Sequence, residues 1–131
     1  LLNQEPLENI FPECQKRGMG VILGAPYASG ILATGASSGA RYGYARVEDS
    51  VLNRVKAIEK VCSEHKIPLK AAALQFPLGH PLVASVIPGA MHPDQVRDNL
   101  AMMKHPIPET FWRDLKNEGL LHPEAPVHSN D

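Results

Sequence analysis

The chain has 131 residues, 44% of them hydrophobic, and a formal net charge of -1. That is enough for one core of ordinary size and too little for two. The balanced charge supplies no basic field to draw in a nucleic-acid backbone, and no apolar run is long enough to span a bilayer.

Leu1-Leu2-Asn3-Gln4 reads as the tail of a strand, so the chain is expected to be a piece of a longer protein. Pro6 to Arg17 then predicts an amphipathic helix, with Leu7, Ile10, Phe11 and Cys14 on one face, ended by Gly18. Gly20 to Leu23 is a short, wholly apolar run, of the kind buried on both faces of a parallel sheet. Gly24 to Gly43 is rich in Gly, Ala and Ser, lacks apolar periodicity and reads as a long loop. Asp49 or Ser50 is expected to cap a helix reaching about His65, with Val51, Val55, Ile58 and Val61 or Cys62 turned inward. Pro68 opens a further helix, Leu69 to Leu78, apolar almost throughout and broken by His80-Pro81. Val83 to Ile87 is a β-branched strand. A helix from Pro93 to Lys104 follows, with Val96, Asn99 or Leu100, and Met103 at helical spacing. Ile107-Pro108 starts a last helix carrying Phe111, Trp112 and Leu115 as core residues, and residues 119–131 are expected to form a frayed, polar tail. Cys14 and Cys62 lie far apart in helix-like segments, the pattern of idle thiols in a reducing cytoplasm.

Alternating strands and helices, with strands apolar on both faces, signal a parallel α/β architecture. Two strands cannot form such a sheet with both faces covered. The remaining strands are therefore expected from a preceding portion of the same protein or from a complementary chain.

The step from Val86 to Leu100 carries the most chemistry. Strand, Pro88-Gly89 turn and helix start leave backbone N–H groups and a positive dipole end converging, which suits an anion such as phosphate. The same step also serves as a plain strand-to-helix connection. The six histidines show no metal-ligand spacing, so no metal site is expected. Ser37-Ser38-Gly39 has no strand leading into it and is no nucleophile elbow.

Leu1 to Gln4 with the following helix, and then Gly18 to Leu32, resemble the sixth and seventh βα units of the aldo-keto reductases, and Ser85 to Asn99 resembles the eighth strand and its dinucleotide-binding signature. The similarity runs from about Leu1 to Leu121. It comes nearest to the sugar and pyridoxal dehydrogenases in the loop Gly24-Ala25-Pro26-Tyr27-Ala28-Ser29-Gly30-Ile31-Leu32. The resemblance implies the C-terminal portion of a (β/α)8 TIM barrel, with ligands over the C-terminal strand ends. It also implies a cofactor site made of Ala25, Pro26, Tyr27, Ser29 and Gly30 at the pyrophosphate, and of Ile87, Pro88, Gly89 and Ala90 near the adenosine ribose. Gln95, Asp98 and Asn99 complete it, Asn99 at the adenine edge.

Members that use NADPH usually carry Lys and Arg where this chain has Gly89 and Gln95. Loss of both cations removes the clamp on a 2′-phosphate, so NAD is the expected cofactor and NADP the less favoured one. Asp98, if it faces the ribose, is expected to repel that phosphate. Gly24 stands where many members stack a tyrosine under the nicotinamide; Tyr27, three residues on, either serves instead or only walls the pocket.

The family's acid–base residues belong to earlier strands. No catalytic residue is assigned here, Tyr42, Tyr44 and Lys70 included, and the chain alone is expected to be inactive. The implied activity of the intact protein is hydride transfer between a nicotinamide and a sugar or aromatic aldehyde or alcohol, in carbohydrate metabolism or a related route. The stretch from Tyr27 to Tyr44 is expected to close over the cofactor. A nucleotide-binding regulatory subunit of the same fold and a structural half-barrel module are the alternatives, and a homo-oligomer is a further option.

Overall fold

A computed structural model of the chain describes residues 1–37, 41–42 and 45–128. The expectations for Ser38, Gly39 and Tyr44, and for the closing of the 27–44 stretch through them, lie outside the described residues.

The first expected helix is broken. A short 3-10 turn, Glu5–Leu7, precedes helix α1, Ile10–Lys16. Asn9 makes the break: its side-chain oxygen accepts from the Ile10 N–H at 2.6 Å and starts a new helix there. Pro12 sits in the first turn, where its missing N–H costs nothing. Phe11 is buried, whereas Ile10 is exposed.

Strand β1, Val21–Gly24, pairs in parallel with a strand far along the chain, Val83–Ile87. Between them the Gly-rich stretch is not all loop. A 3-10 turn, Ala28–Gly30, leads into helix α2, Ile31–Thr34, and Ile31 and Leu32 are fully buried. Two apolar residues in a polar stretch give no periodicity to read, which is why the sequence hid this element. Gly35 ends α2 with φ +81, and the Glu59 carboxylate closes over it and accepts from the Ala36 N–H at 3.3 Å. Strands β2, Arg41–Tyr42, and β3, Ala45–Arg46, form a small antiparallel pair.

Helix α3, Asp49–His65, starts one residue earlier than a capping Asp49 would require. Glu48 takes the cap position, and its carbonyl accepts from Val51 and Leu52. Helix α4, Leu69–Gln75, is shorter than expected, because Pro77 lacks the donor that would continue it, and the chain tightens into a 3-10 turn, Phe76–Gly79. The strand Val83–Ile87 is β4. Helices α5, Pro93–Lys104, and α6, Glu109–Asn117, complete the order.

The core lies among the helices. Ile31, Leu32, Val55, Ile58, Leu74, Phe111, Trp112 and Leu115 have relative exposures of 1% or less. Burying each of the larger side chains contributes on the order of 1.5–3 kcal/mol. Phe111 and Trp112 meet edge to face at 4.9 Å, inside this core. His65 Nε2 lies 2.8 Å from an Asp114 oxygen and ties α3 to α6.

The tail does not fray where expected. Leu120, Leu121 and Ala125 are buried in the same core. Gln4 and Arg54 both donate to the Leu120 carbonyl, at 3.0 and 2.7 Å, while His122 N–H donates to Gln4 at 2.7 Å. These distant groups add to the local bonds that the Leu120 and Leu121 N–H groups donate to the Leu115 carbonyl.

The strands also differ from expectation. Ile22 pairs with Ser85 and Gly24 with Ile87, so these four share one face of the β1–β4 pair. Ile22 and Ile87 are 66% and 60% exposed there. Val21 and Leu23 share the other face with Val83 and Val86; Val83 is buried and Val86 packs against the core. An irregularity between Val21 and Ile22 lets Val83 and Val86, an odd number of residues apart, share that face. Among the described residues neither strand has a second neighbour, so the apolar residues of the open face find no covering layer. No helix of the described residues is long and apolar enough to cross a membrane.

Candidate functional site

The register that pairs Gly24 with Ile87 sets the geometry of the site. The chain leaves both strands at neighbouring, parallel ends, so Ala25 to Gly30 and Pro88 to Ala90 emerge side by side. From there the second loop enters α5, the helix that bears Gln95, Asp98 and Asn99.

The first loop is strained. Ala25, Ala28 and Ser29 have φ of 51, 49 and 59, in the left-handed region that side chains with a Cβ rarely adopt, and Gly30 follows at 98. Such residues cost of order 1–3 kcal/mol each and persist where the surroundings hold them. The turn holds itself. Tyr27 carbonyl accepts from the Gly30 and Leu32 N–H groups at 3.0 and 3.1 Å, and Ala25 carbonyl accepts from Ala28 at 2.9 Å. The Ala28, Gly30 and Leu32 amides are therefore spent on the turn. Pro26 and Tyr27 are buried, and Ala25 and Ser29 are exposed. A Cβ at Gly24, Gly30 or Gly89 would meet nothing within 4 Å, so space is open along the strand ends.

Tyr27 joins the two loops. Its hydroxyl donates to the Asn99 Oδ1 at 2.6 Å, in a buried contact between residues 72 apart in sequence. Asn99 is the buried polar residue of α5, 7% exposed. Its oxygen is turned toward Tyr27. Desolvation, with the Asp98 charge as a smaller cause, pushes the Tyr27 hydroxyl up to about 12, so it stays a proton donor.

Gln95, Asp98 and Asn99 lie within one turn, yet they point to different partners. Gln95 turns back and its side-chain oxygen accepts from the Met91 N–H at 2.6 Å, closing the loop before α5. Asp98 pairs with Lys70, from the first turn of α4, and the Lys70 Nζ stands 5.5 Å from the centroid of the Tyr27 ring. The sequence gives Lys70 no catalytic role and does not name its partner. The signal was there: a lone cation in the first turn of an almost wholly apolar helix opposes the helix dipole and needs a partner. The pairing also corrects the expectation for Asp98, whose charge is compensated and not presented bare.

Helix α5 is held against α4 by Gln75, whose side-chain N–H2 donates to the carbonyls of Met102 and His105, both at 2.8 Å. Of the residues at helical spacing in α5, Val96 and Leu100 are 49% and 57% exposed, whereas Asn99 is buried. They line a groove of about 400 Å³ with Ser85, Val86, Pro88 and Met103. A second apolar cavity of about 290 Å³ lies on the other side of β1, between Leu1, Leu7, Phe11, Leu23 and Phe76. Ile87, Ala90 and Gly89 are exposed and Pro88 half-buried.

Parallel strands ending beside each other, with helices packed behind them, are the repeating unit of an α/β fold. The model of the aldo/keto reductase family matches residues 1–117, and the chain belongs to that family. It is 36% identical over 121 residues to the pyridoxal 4-dehydrogenase of Microbacterium luteolum, covering 92% of this chain and 35% of that protein. It is 33% identical over 122 residues to a D-threo-aldose 1-dehydrogenase of a Pseudomonas species, covering 92% and 37%. An aldo-keto reductase of Bacillus halodurans in its holo form superposes with a TM-score of 0.62 at 25% identity, over 98% of this chain and 42% of the other. The fold is thus part of the (β/α)8 barrel of this family. The chain spans about a third of the length of the curated relatives it matches.

Proposed function

We propose that this chain carries the nucleotide-holding loops of an aldo-keto reductase-type dehydrogenase that works on a sugar or an aromatic aldehyde or alcohol. The observation that carries the reading is the Tyr27–Asn99 hydrogen bond, which fixes the loop after β1 against the helix after β4. The names of the relatives, a pyridoxal and an aldose dehydrogenase, support the substrate class.

The residues present fit a nicotinamide dinucleotide by their donor set. Asn99, whose side-chain oxygen is taken up by Tyr27, carries an amide N–H2 suited to a base edge. Ser29 carries a hydroxyl on the exposed side of the strained turn, beside open space at Gly30. Ala25, Pro26 and Tyr27 would line the pyrophosphate on one side, and Ile87, Pro88, Gly89 and Ala90 the ribose on the other. Gln95 shapes the second loop through Met91. When bound, such a cofactor supplies the hydride acceptor or donor. The chain's own residues orient it and keep the base end dry.

NAD is the preferred cofactor in this reading, because Gly89 and Gln95 bring no cation to a 2′-phosphate and the Lys70–Asp98 pair is neutral as a whole. The acid–base groups come from the remaining strands of the barrel, in the same protein or in a complementary chain, and the cytoplasm is the setting. Tyr42, Tyr44 and Lys70 are not given that role.

Calorimetric titration of NAD and NADP into the protein with the rest of the barrel present tests the proposal. Saturable binding is expected, tighter for NAD, and weakened about 5- to 150-fold by Asn99→Ala, since a lost base contact of this kind is worth about 1–3 kcal/mol. Failure of the unmodified protein to bind either nucleotide would sink the reading.

A further inference from the structure

We infer that Lys70 is a specificity-determining residue of the nucleotide site, acting through Asp98 as a positioning and charge-compensating group. The inference rests on the nucleotide-binding reading above and deepens it.

Four side chains from three elements form a closed circuit. Lys70, in the first turn of α4, pairs with Asp98 on α5 and stands over the ring of Tyr27 at 5.5 Å. Tyr27 reaches Asn99, the neighbour of Asp98, at 2.6 Å. Lys70 and Asp98 are only partly accessible, with side-chain exposures of 25% and 44%. Their charges are therefore screened less than those of the exposed Arg97–Asp94 pair on the same helix, at 74% and 92%.

The circuit sits where the nucleotide's base and ribose end is placed. A 2′-phosphate differs from a 2′-hydroxyl by about two negative charges, so any unbalanced charge here separates the two cofactors. With Lys70 present the Asp98 carboxylate is balanced and Tyr27 is held from above. Removing Lys70 leaves a bare anion beside the phosphate. Removing the Asp98 charge instead leaves a bare cation. The two changes must push the preference in opposite directions, which a merely structural role for either residue does not produce.

The test measures dissociation constants for NAD and NADP, at low and high salt, in the protein with the rest of the barrel present. Lys70→Met is expected to raise the ratio of the NADP to the NAD constant on the order of tenfold at low salt, and Asp98→Asn to lower it by a similar factor. Both shifts are expected to shrink at 0.5 M salt. Lys70→Arg keeps the charge and is expected to keep the ratio near that of the unmodified protein. Thermal unfolding of each variant reports whether the fold is intact, and a ratio of two constants is insensitive to a partly unfolded fraction. Unchanged ratios in both variants, or shifts of the same sign, would overturn the inference while leaving nucleotide binding standing. An unmodified protein that binds neither nucleotide removes the functional reading and this inference together.

Discussion

Tyr27 reaches from the end of β1 to Asn99 on α5, and burial together with the Asp98 charge holds its hydroxyl up to about 12. Unfolding returns such a phenol to the ordinary 10.0. Above that value the unfolded state has lost a proton that the folded state keeps, so stability is complete below pH 10 and falls as pH rises toward 12. Denaturant midpoints taken at steps from pH 8 to 11.5 are expected to show this decline, and Tyr27→Phe to flatten it. The same variant is expected to be less stable at pH 7 by about 1 kcal/mol, because Asn99 loses its donor. An equal alkaline slope in both proteins would count against the assignment. Tyr27 was legible from its loop motif. For Lys70 the need for a partner was legible but the partner was not, since nothing local says that Asp98, 28 residues on, lies beside it.

At the scale of elements, α5 and β4 were legible to the residue, Pro93–Lys104 and Val83–Ile87. Proline at the start of α5, helical spacing within it and a β-branched run in β4 act locally, so local sequence was enough. The tail was misread for the opposite reason. Its polar, proline-containing sequence has no periodicity, and what orders it is Gln4 and Arg54 from distant segments. Val127 backbone also packs so closely on Gly79 that a Cβ there would come within 2.7 Å. Leu121→Ala is therefore expected to cost about 2–4 kcal/mol in chemical unfolding, the range for a buried leucine and not that of a frayed end. A change under 0.5 kcal/mol would mean the tail is not docked in solution.

For the molecule as a whole, the open face of the β1–β4 pair and the exposed apolar stripe of α5 belong together. Ile22, Ile87, Val96 and Leu100 are each about half or more exposed, and each strand has one neighbour only among the described residues. Unpaired strand edges beside apolar surface favour association. The 131-residue chain alone is expected to self-associate at micromolar concentration and to bind a fluorescent probe of apolar surface. Coexpression with the other strands of the barrel is expected to abolish both. A monomer by sedimentation velocity, with no probe signal, would contradict the view that further strands complete this sheet.

The sequence by itself determined the alternation of strands and helices, the family, and the two loops that flank the strand ends, because periodicity, proline and glycine placement and short motifs are local properties of the chain. Only the tertiary structure decided that Tyr27 meets Asn99, that Lys70 balances Asp98, and that the last ordered segment returns to Gln4 and Arg54. Those contacts depend on which elements lie side by side, and buried polar groups from distant segments choose one another only after the backbone has brought them together.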